Sequence, residues 1–323
     1  MNEDILILGG SGFIGSVLCE KLVRRGQTLG GGRVTVPTRR AAHATHLQPL
    51  PSVEIVEADV HDDVQLARLV AGCDAIVNLV GILHGGARDF ERAHAALPRR
   101  LAAACATAGG AAPRVVHMSA LGADPGAPSN YLRTKAAGES ALQEAGLAPT
   151  CLRPSVVFGA GDAFMNLFAR LQRLAPFVPL AGASARFQPV WVEDVADAVI
   201  AAMDDPATAG QPLECTGPRV YTLAELVRVA GRWSGHPRRV WPLPAALAWP
   251  MAALMEWLPG EPMLSRDNLL SMEVPSVASG HRPGLEALGI TPTPLEAIGP
   301  AMLGLGVEAA RLDRWRAAVH GPR

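Results

Sequence analysis

The sequence predicts an α/β protein: a doubly wound parallel sheet with helices on both faces, joined to a smaller, mostly helical C-terminal lobe. Three observations point there. Short β-rich runs alternate with longer amphipathic runs through the first half of the chain, the pattern of parallel strands joined by crossover helices. The first such run, "DILIL", leads straight into "GGSGFIG" and a helical pattern. Beyond residue 160 the alternation fades into helical and proline-rich stretches.

Strands are expected at 4–8 (DILIL), 33–37 (RVTVP), 53–58 (VEIVEA), 75–80 (AIVNLV), 114–118 (RVVHM) and 150–154 (TCLRP). Between them "FIGSVLCEKLVRR", "DVQLARLVAG" and "LPRRLAAACATAG" read as helices, and "LGGG" at 29–32 as a loose connection. In "DDVQ", Asp62 and Gln65 have the spacing of a reciprocal capping box. Further on, "NLFARLQRLAPFVPLAG" reads as a helix followed by a proline-broken loop, "EDVADAVIAAMDD" (193–205) as a helix and "PLECTG" as a returning strand. "TLAELVRVAGRWSG" (222–235) opens on a second capping box, Thr222 with Glu225. The resulting division assigns 1–160 and 187–218 to the sheet unit, 161–186 and 219–300 to the second lobe, and 301–323 to a C-terminal tail.

Composition excludes several classes. The 323 residues carry 29 basic and 30 acidic groups, a net charge of -1, so no electrostatic footprint for nucleic acid exists. Cys19, Cys73, Cys105, Cys151 and Cys215 are odd in number and form no CxxC pair. They read as reduced, mostly buried thiols of a cytosolic protein. No histidine has metal-ligand spacing, His43 and His46 reading as solvent-facing loop residues, so no metal is expected. "MNEDILIL" is acidic and is no leader peptide. The longest apolar run, 240–255, is too short to span a bilayer and holds Pro242, Pro244 and Pro250. A cytoplasmic location follows, with peripheral contact at the inner face of the membrane left open. Trp241, Trp249, Met251, Met255 and Trp257 read first as core or lid packing. The sharper alternative is a greasy entrance for a quinone-like or lipid substrate, or a partner surface.

The glycine turn carries the first chemistry. Its glycines fit two registers, Gly9-x-x-Gly12-x-x-Gly15 and Gly10-x-Gly12-x-x-Gly15. Either lets the backbone, with Phe13 and Ile14 opening the helix, approach a pyrophosphate at the positive helix end. NAD-selective sites place an acid at the end of the second strand. Here no acidic residue lies between Glu20 and Glu54, and Arg39 and Arg40 stand there instead, suited to a 2′-phosphate. NADP(H) is favoured, with NAD(H) the alternative. Asp59, ending the third strand, is placed to accept from an adenine amino group.

Tyr131 lies four residues before Lys135, one helical turn apart on a common face. Only Lys21 and Lys135 of the 29 basic residues are lysine. A chain that otherwise uses arginine keeps the compact ammonium beside its tyrosine, where a guanidinium would be too long and branched.

Together the glycine turn, Asp59-Val60, "VNLVG" with Leu79 and Val80, Tyr131-x-x-x-Lys135 and "LRPSVVFGAGD" resemble an extended short-chain dehydrogenase/reductase with a Rossmann-type sheet. "HMSALGADPGAPSNYLRTKAAGE", "RFQPVWVEDVADAV" and "ECTGPRVYTLAELV" are similar to its atypical branch related to the alpha-subcomplex subunit 9 of mitochondrial complex I, over roughly residues 4 to 300. The resemblance implies that Lys135 holds the nicotinamide ribose and helps lower the Tyr131 pKa from about 10. Tyr131 then exchanges a proton as hydride moves. Ser119 has the spacing of the hydroxyl that polarises the substrate oxygen, although Leu121 occupies its place in the extended pattern. His94 stands where many members have asparagine. Arg153-Pro154 ends the sixth strand near the nicotinamide, and the backbone of the next segment, Val157 included, would meet the carboxamide. Glu139 reads as a helix-surface ion pair. Two functions follow from the resemblance. One is a cofactor-holding accessory role in a respiratory or quinone-biosynthesis complex. The other is an active carbonyl reductase or nucleotide-sugar epimerase/dehydratase acting on a small-molecule or quinone-like substrate.

Overall fold

The computed structural model describes residues 3–29, 32–109, 111–257, 260 and 262–304. The chain runs β1 (Ile5–Leu8), α1 (Phe13–Leu29), β2 (Val34–Thr38), β3 (Val53–Glu57), α2 (Asp63–Val70) and β4 (Ala75–Asn78). Then come α3 (Ala87–Phe90), a π-helical turn over Glu91–Ala96, and α4 (Leu97–Thr107). After β5 (Arg114–Met118), α5 (Asn130–Glu144), β6 (Thr150–Pro154) and β7 (Val157–Phe158) it passes through α6 (Phe164–Leu174), β8 (Phe177–Leu180), β9 (Arg186–Phe187), β10 (Val190–Trp191) and α7 (Val192–Asp204). The described part continues with β11 (Pro212–Cys215), β12 (Tyr221–Thr222), α8 (Leu223–Trp233), β13 (Arg239–Pro242), α9 (Ala245–Trp257) and α10 (Arg266–Ser271), and residues 295–304 are helical.

Seven strands form one parallel sheet in the order β3-β2-β1-β4-β5-β6-β11. Strand β1, flanked by β2 and β4, is apolar throughout because both its faces are covered. Ile5 and Ile7 enter one layer with Leu18, Val36, Val195 and Val199. Leu6 and Leu8 enter the other with Leu66, Leu97, Leu101 and Leu142. The expected doubly wound architecture is present, and β11 is the returning strand. Winding reverses between β1 and β4, so a crevice opens at their carboxyl ends, where such sheets bind ligands.

Several local expectations need correction. The segment read as a proline-broken loop contains β8, which pairs in parallel with β13. Val178 and Leu180 are buried while Phe177 and Pro179 face out. With a partner on one side only, an edge strand can carry a proline. Gln65 does not complete a capping box: Asp62 accepts from Gln65 N, but Gln65 Oε1 accepts from the Asp59 amide at 3.0 Å. The box at Thr222 and Glu225 is complete. Glu139 is buried and grips Arg153 with two hydrogen bonds of 2.8 and 2.6 Å, joining α5 to β6. All five cysteines are free thiols, Cys19, Cys151 and Cys215 being buried. Gly30, Gly31 and most of the expected tail (305–323) lie outside the described residues.

Residues 262–293 return across the sheet's carboxyl edge. Ser155 Oγ donates to the Ser276 carbonyl at 2.7 Å, Glu214 N donates to Pro283 O at 2.9 Å, and Thr293 donates twice to Asp194. Beneath this strap, α5 packs on the π-helical turn. A Cβ at Gly138 would lie 2.1 Å from the His94 carbonyl oxygen. Gly138→Ala must push α5 away from that turn, a loss expected at about 1–3 kcal/mol. Urea unfolding should show a lower midpoint at unchanged slope.

Candidate active site

The crevice floor is the turn from β1 into α1. Gly9 has φ +81°, and a Cβ there would sit 3.1 Å from the backbone of Leu79 and Val80. The loops after β1 and β4 therefore touch through a residue that must be glycine. A Cβ at Gly15 would fall 2.5 Å from Gly10 Cα, closing α1 against the turn. At Gly12 the Cβ would meet only Gly9 O, at 3.2 Å. That side is open, and the first amides of the 17-residue α1 face it. Phe13 and Ile14 form the helix's first turn, with the Phe13 ring beside Gly159.

Arg39 and Arg40 follow β2 at the crevice rim, both exposed, and among the described residues neither forms a salt bridge. Thr38 Oγ1 donates to the Arg40 carbonyl at 3.1 Å and shapes this corner. Asp59 accepts from His61 N at 2.9 Å and stands 4.0 Å from Arg92, with Val60 packed toward the α2 layer. His46 is exposed, yet its Nε2 is 2.9 Å from Ser16 Oγ in α1.

Above the floor, α5 presents Tyr131 and Lys135. Lys135 is 4% exposed, and its Nζ donates to Met118 O at 2.9 Å, one residue before Ser119. Burial lowers its pKa to about 8, opposed by the charge of Glu139. Ser119 is 2% exposed, and its Oγ has no hydrogen-bond partner among the described residues. The Tyr131 ring meets His94 and Phe90 edge-on, with centroids 5.4 and 6.1 Å away. Burial lifts its pKa to about 12. His94 Nε2 accepts from Ile82 N at 3.0 Å, and its Nδ1 lies 3.2 Å from Thr134 Oγ1. Burial, then the Lys135 charge, lowers His94 to about 2; the same causes lower His117 to about 3. Both imidazoles are neutral at any working pH. Pro154 and Val157 flank the loop after β6, where Pro154 O accepts from Leu121 N at 3.1 Å.

The NAD dependent epimerase/dehydratase family model matches residues 5–221. The chain belongs to this family. It is 30% identical over 297 residues to NADH dehydrogenase (ubiquinone) 1 alpha subcomplex subunit 9, mitochondrial, of Mus musculus, covering 90% of this chain and 77% of that one. Ceramide reductase of Caulobacter vibrioides is 28% identical over 241 residues, covering 74% and 73%. Among solved structures, UDP-glucuronic acid 4-epimerase from Bacillus cereus, in complex with UDP-glucuronic acid and NAD, superposes with a TM-score of 0.63 at 20% identity, covering 88% and 97%.

The matched family is described as NAD dependent, and the residues at the crevice would fit a dinucleotide. Gly12 leaves room for a pyrophosphate. Lys135 retains two N–H donors for ribose hydroxyls, and the Ser119 hydroxyl is unspent. One supporting residue has no sequence signal: Asp267, from the strap. Its carboxylate accepts from Asn130 N at 2.7 Å, Asn130 Nδ2 at 3.0 Å and Tyr131 N at 3.0 Å. It therefore satisfies first-turn amides of α5, beside Ser129, which accepts from Leu132 N.

Two outcomes are expected. Asp267→Ala should cost about 0.5–2 kcal/mol, the range for a lost helix cap, and raise amide exchange first at residues 130–133. Lys135 donates as an ammonium, which is lost as pH rises through about 8. Nucleotide affinity should therefore fall above that pH by roughly tenfold or more, a charged hydrogen bond contributing about 1.5–3 kcal/mol. Lys135→Met should be weak throughout and show no step in a calorimetric pH series.

Proposed function

We propose that this protein holds NADP(H) as a lasting part of its structure and serves as an accessory component of a respiratory or quinone-biosynthesis assembly in the cytoplasm. The observation that carries this reading is how the proton-handling groups are tied off. His94 has both nitrogens engaged by the protein, and Lys135 is bound to a backbone carbonyl. Both His94 and the nearby His117 are held neutral. Neither imidazole therefore offers a titratable relay from Tyr131 toward bulk water. The Mus musculus complex I subunit relative, matched along 90% of the chain, supports the assignment. In this reading 1–160 and 187–218 bind nucleotide, while 161–186 and 219–300 meet the partner or substrate. The 2′-phosphate would lie against Arg39 and Arg40, and the adenine near Asp59.

One observation favours a second reading, an active reductase or nucleotide-sugar epimerase/dehydratase. Ser119 Oγ is buried with no partner among the described residues, at a cost unless some ligand oxygen meets it. There Ser119 would donate to the substrate oxygen, Tyr131 would give or take the proton, and Lys135 would hold the ribose and stabilise a tyrosinate. A bound nicotinamide supplies or accepts the hydride in this chemistry. The Caulobacter ceramide reductase belongs to this side of the comparison.

Nucleotide content and exchange of the purified protein separate the readings. Bound NADPH that persists for hours against added NADPH and NADH supports the holding role. Rapid exchange, with carbonyl-dependent NADPH oxidation that Tyr131→Phe abolishes, supports the reductase. Replacing Arg39 and Arg40 by Ala should weaken NADPH by roughly tenfold or more and leave NADH unchanged. Equal losses for both nucleotides, or tightly held NAD⁺, would remove NADP(H) from the proposal.

A further inference from the structure

The second lobe carries a helix built inside out. In α9 the small residues Ala248 and Ala252 face the protein, while Leu247, Pro250, Leu254 and Trp257 face outward. Those positions recur at i, i+3, i+7 and i+10, one stripe of a helix. Leu254 is 67% and Trp257 92% exposed. On β8 and β13, the latter leading into α9, exposed Phe177 stacks on exposed Trp241 at 4.7 Å, and Leu174 and Trp249 are exposed as well. So extensive a patch marks an interaction surface.

Charge says what covers it. The only acidic residue in segments 173–180 and 236–257 is Glu256, which is ion-paired to Arg266. Arg173 and Arg239 stand exposed within the patch, Arg239 in register with Phe177. Adjoining Arg239, Arg238 lines a cavity of ≈ 800 Å³ whose wall holds Arg219, Arg228 and Arg232 together with Glu225 and Glu296, Arg219 being paired to Glu296 at 3.0 Å. This basic rim belongs to a chain of net charge -1. Bulky apolar groups and tryptophans on one side with arginines around them match an anionic bilayer surface, which takes apolar side chains at headgroup depth and phosphates at the rim. No described helix is long and apolar enough to cross a membrane, so the attachment is in the interface plane.

We propose that α9 with the β8–β13 edge docks this protein on anionic phospholipid, with α9 lying flat in the headgroup region and the exposed Arg173 and Arg239 meeting lipid phosphate. The surface shares no residue with the nucleotide crevice, so the proposal stands or falls separately from the functional reading. Full-length protein is mixed with phosphatidylcholine vesicles, with and without phosphatidylglycerol, and binding is followed by sedimentation and tryptophan emission. Binding to the anionic vesicles with a blue shift, weakened by salt, is expected. Trp257→Ser with Leu254→Ser should reduce partitioning roughly tenfold or more. Arg173→Ala with Arg239→Ala should reduce it several-fold, at about 1 kcal/mol per basic residue. All these side chains are exposed, and unchanged nucleotide affinity verifies each variant's fold. Absence of binding to either vesicle overturns the proposal. So does self-association in solution that the Trp257 and Leu254 variants abolish while vesicles are ignored, because the face then belongs to a second copy of the chain.

Discussion

A single ammonium group kept out of water organises the crevice end of this molecule. Removing Lys135 from solvent costs several kcal/mol unless partners compensate, and the structure supplies them from different elements. The end of β5 offers a carbonyl, the next turn of α5 adds the Glu139 carboxylate, and the open crevice leaves room for ribose oxygens. Glu139 is in turn neutralised by Arg153 on β6, so the charge and its compensation span β5, α5 and β6. The same field, added to burial, keeps two neighbouring imidazoles uncharged. Seating this lysine therefore fixes the distance between helix and sheet, the state of both histidines and the depth of the tyrosine.

The parts of the site that could be read in the sequence are those written in consecutive residues. The glycine turn, the strand-helix alternation and the Tyr131–Lys135 spacing are local, and each follows from backbone geometry or helical pitch. Ser119 could be placed beside them because it ends a strand that was itself legible. What stayed hidden depends on distant contacts. Nothing around Glu139 reveals that Arg153 on the next strand will meet it in the interior, so it read as a surface residue. Asp267 acts on a helix 136 residues earlier, and no spacing rule connects them. The π-helical turn that brings His94 to Ile82 leaves no compositional trace, and Pro179 obscured a strand tolerated only at an edge.

The tryptophan-rich segment shows a different limit. Its apolar residues invite a core assignment, since burial is where such side chains gain most. The helix instead turns alanines inward, because at close helix-to-helix approach small residues fit and bulky ones do not. Hydrophobicity told what the segment avoids, while the shape of its neighbours decided which face was left outside.

The Asp267 clamp ties the order of synthesis to the readiness of the site. The first turn of α5, with its tyrosine, emerges early in translation, but the carboxylate that satisfies its amides is made more than a hundred residues later. A nascent chain thus has the sheet and the glycine turn available long before the tyrosine helix is pinned at its start. Chains stalled before residue 267 would hold the glycine-turn crevice beside a frayed start of α5, and only extension past that residue pins it. Quality control of the site is in that sense built into the position of one aspartate 136 residues beyond the tyrosine it helps to pin.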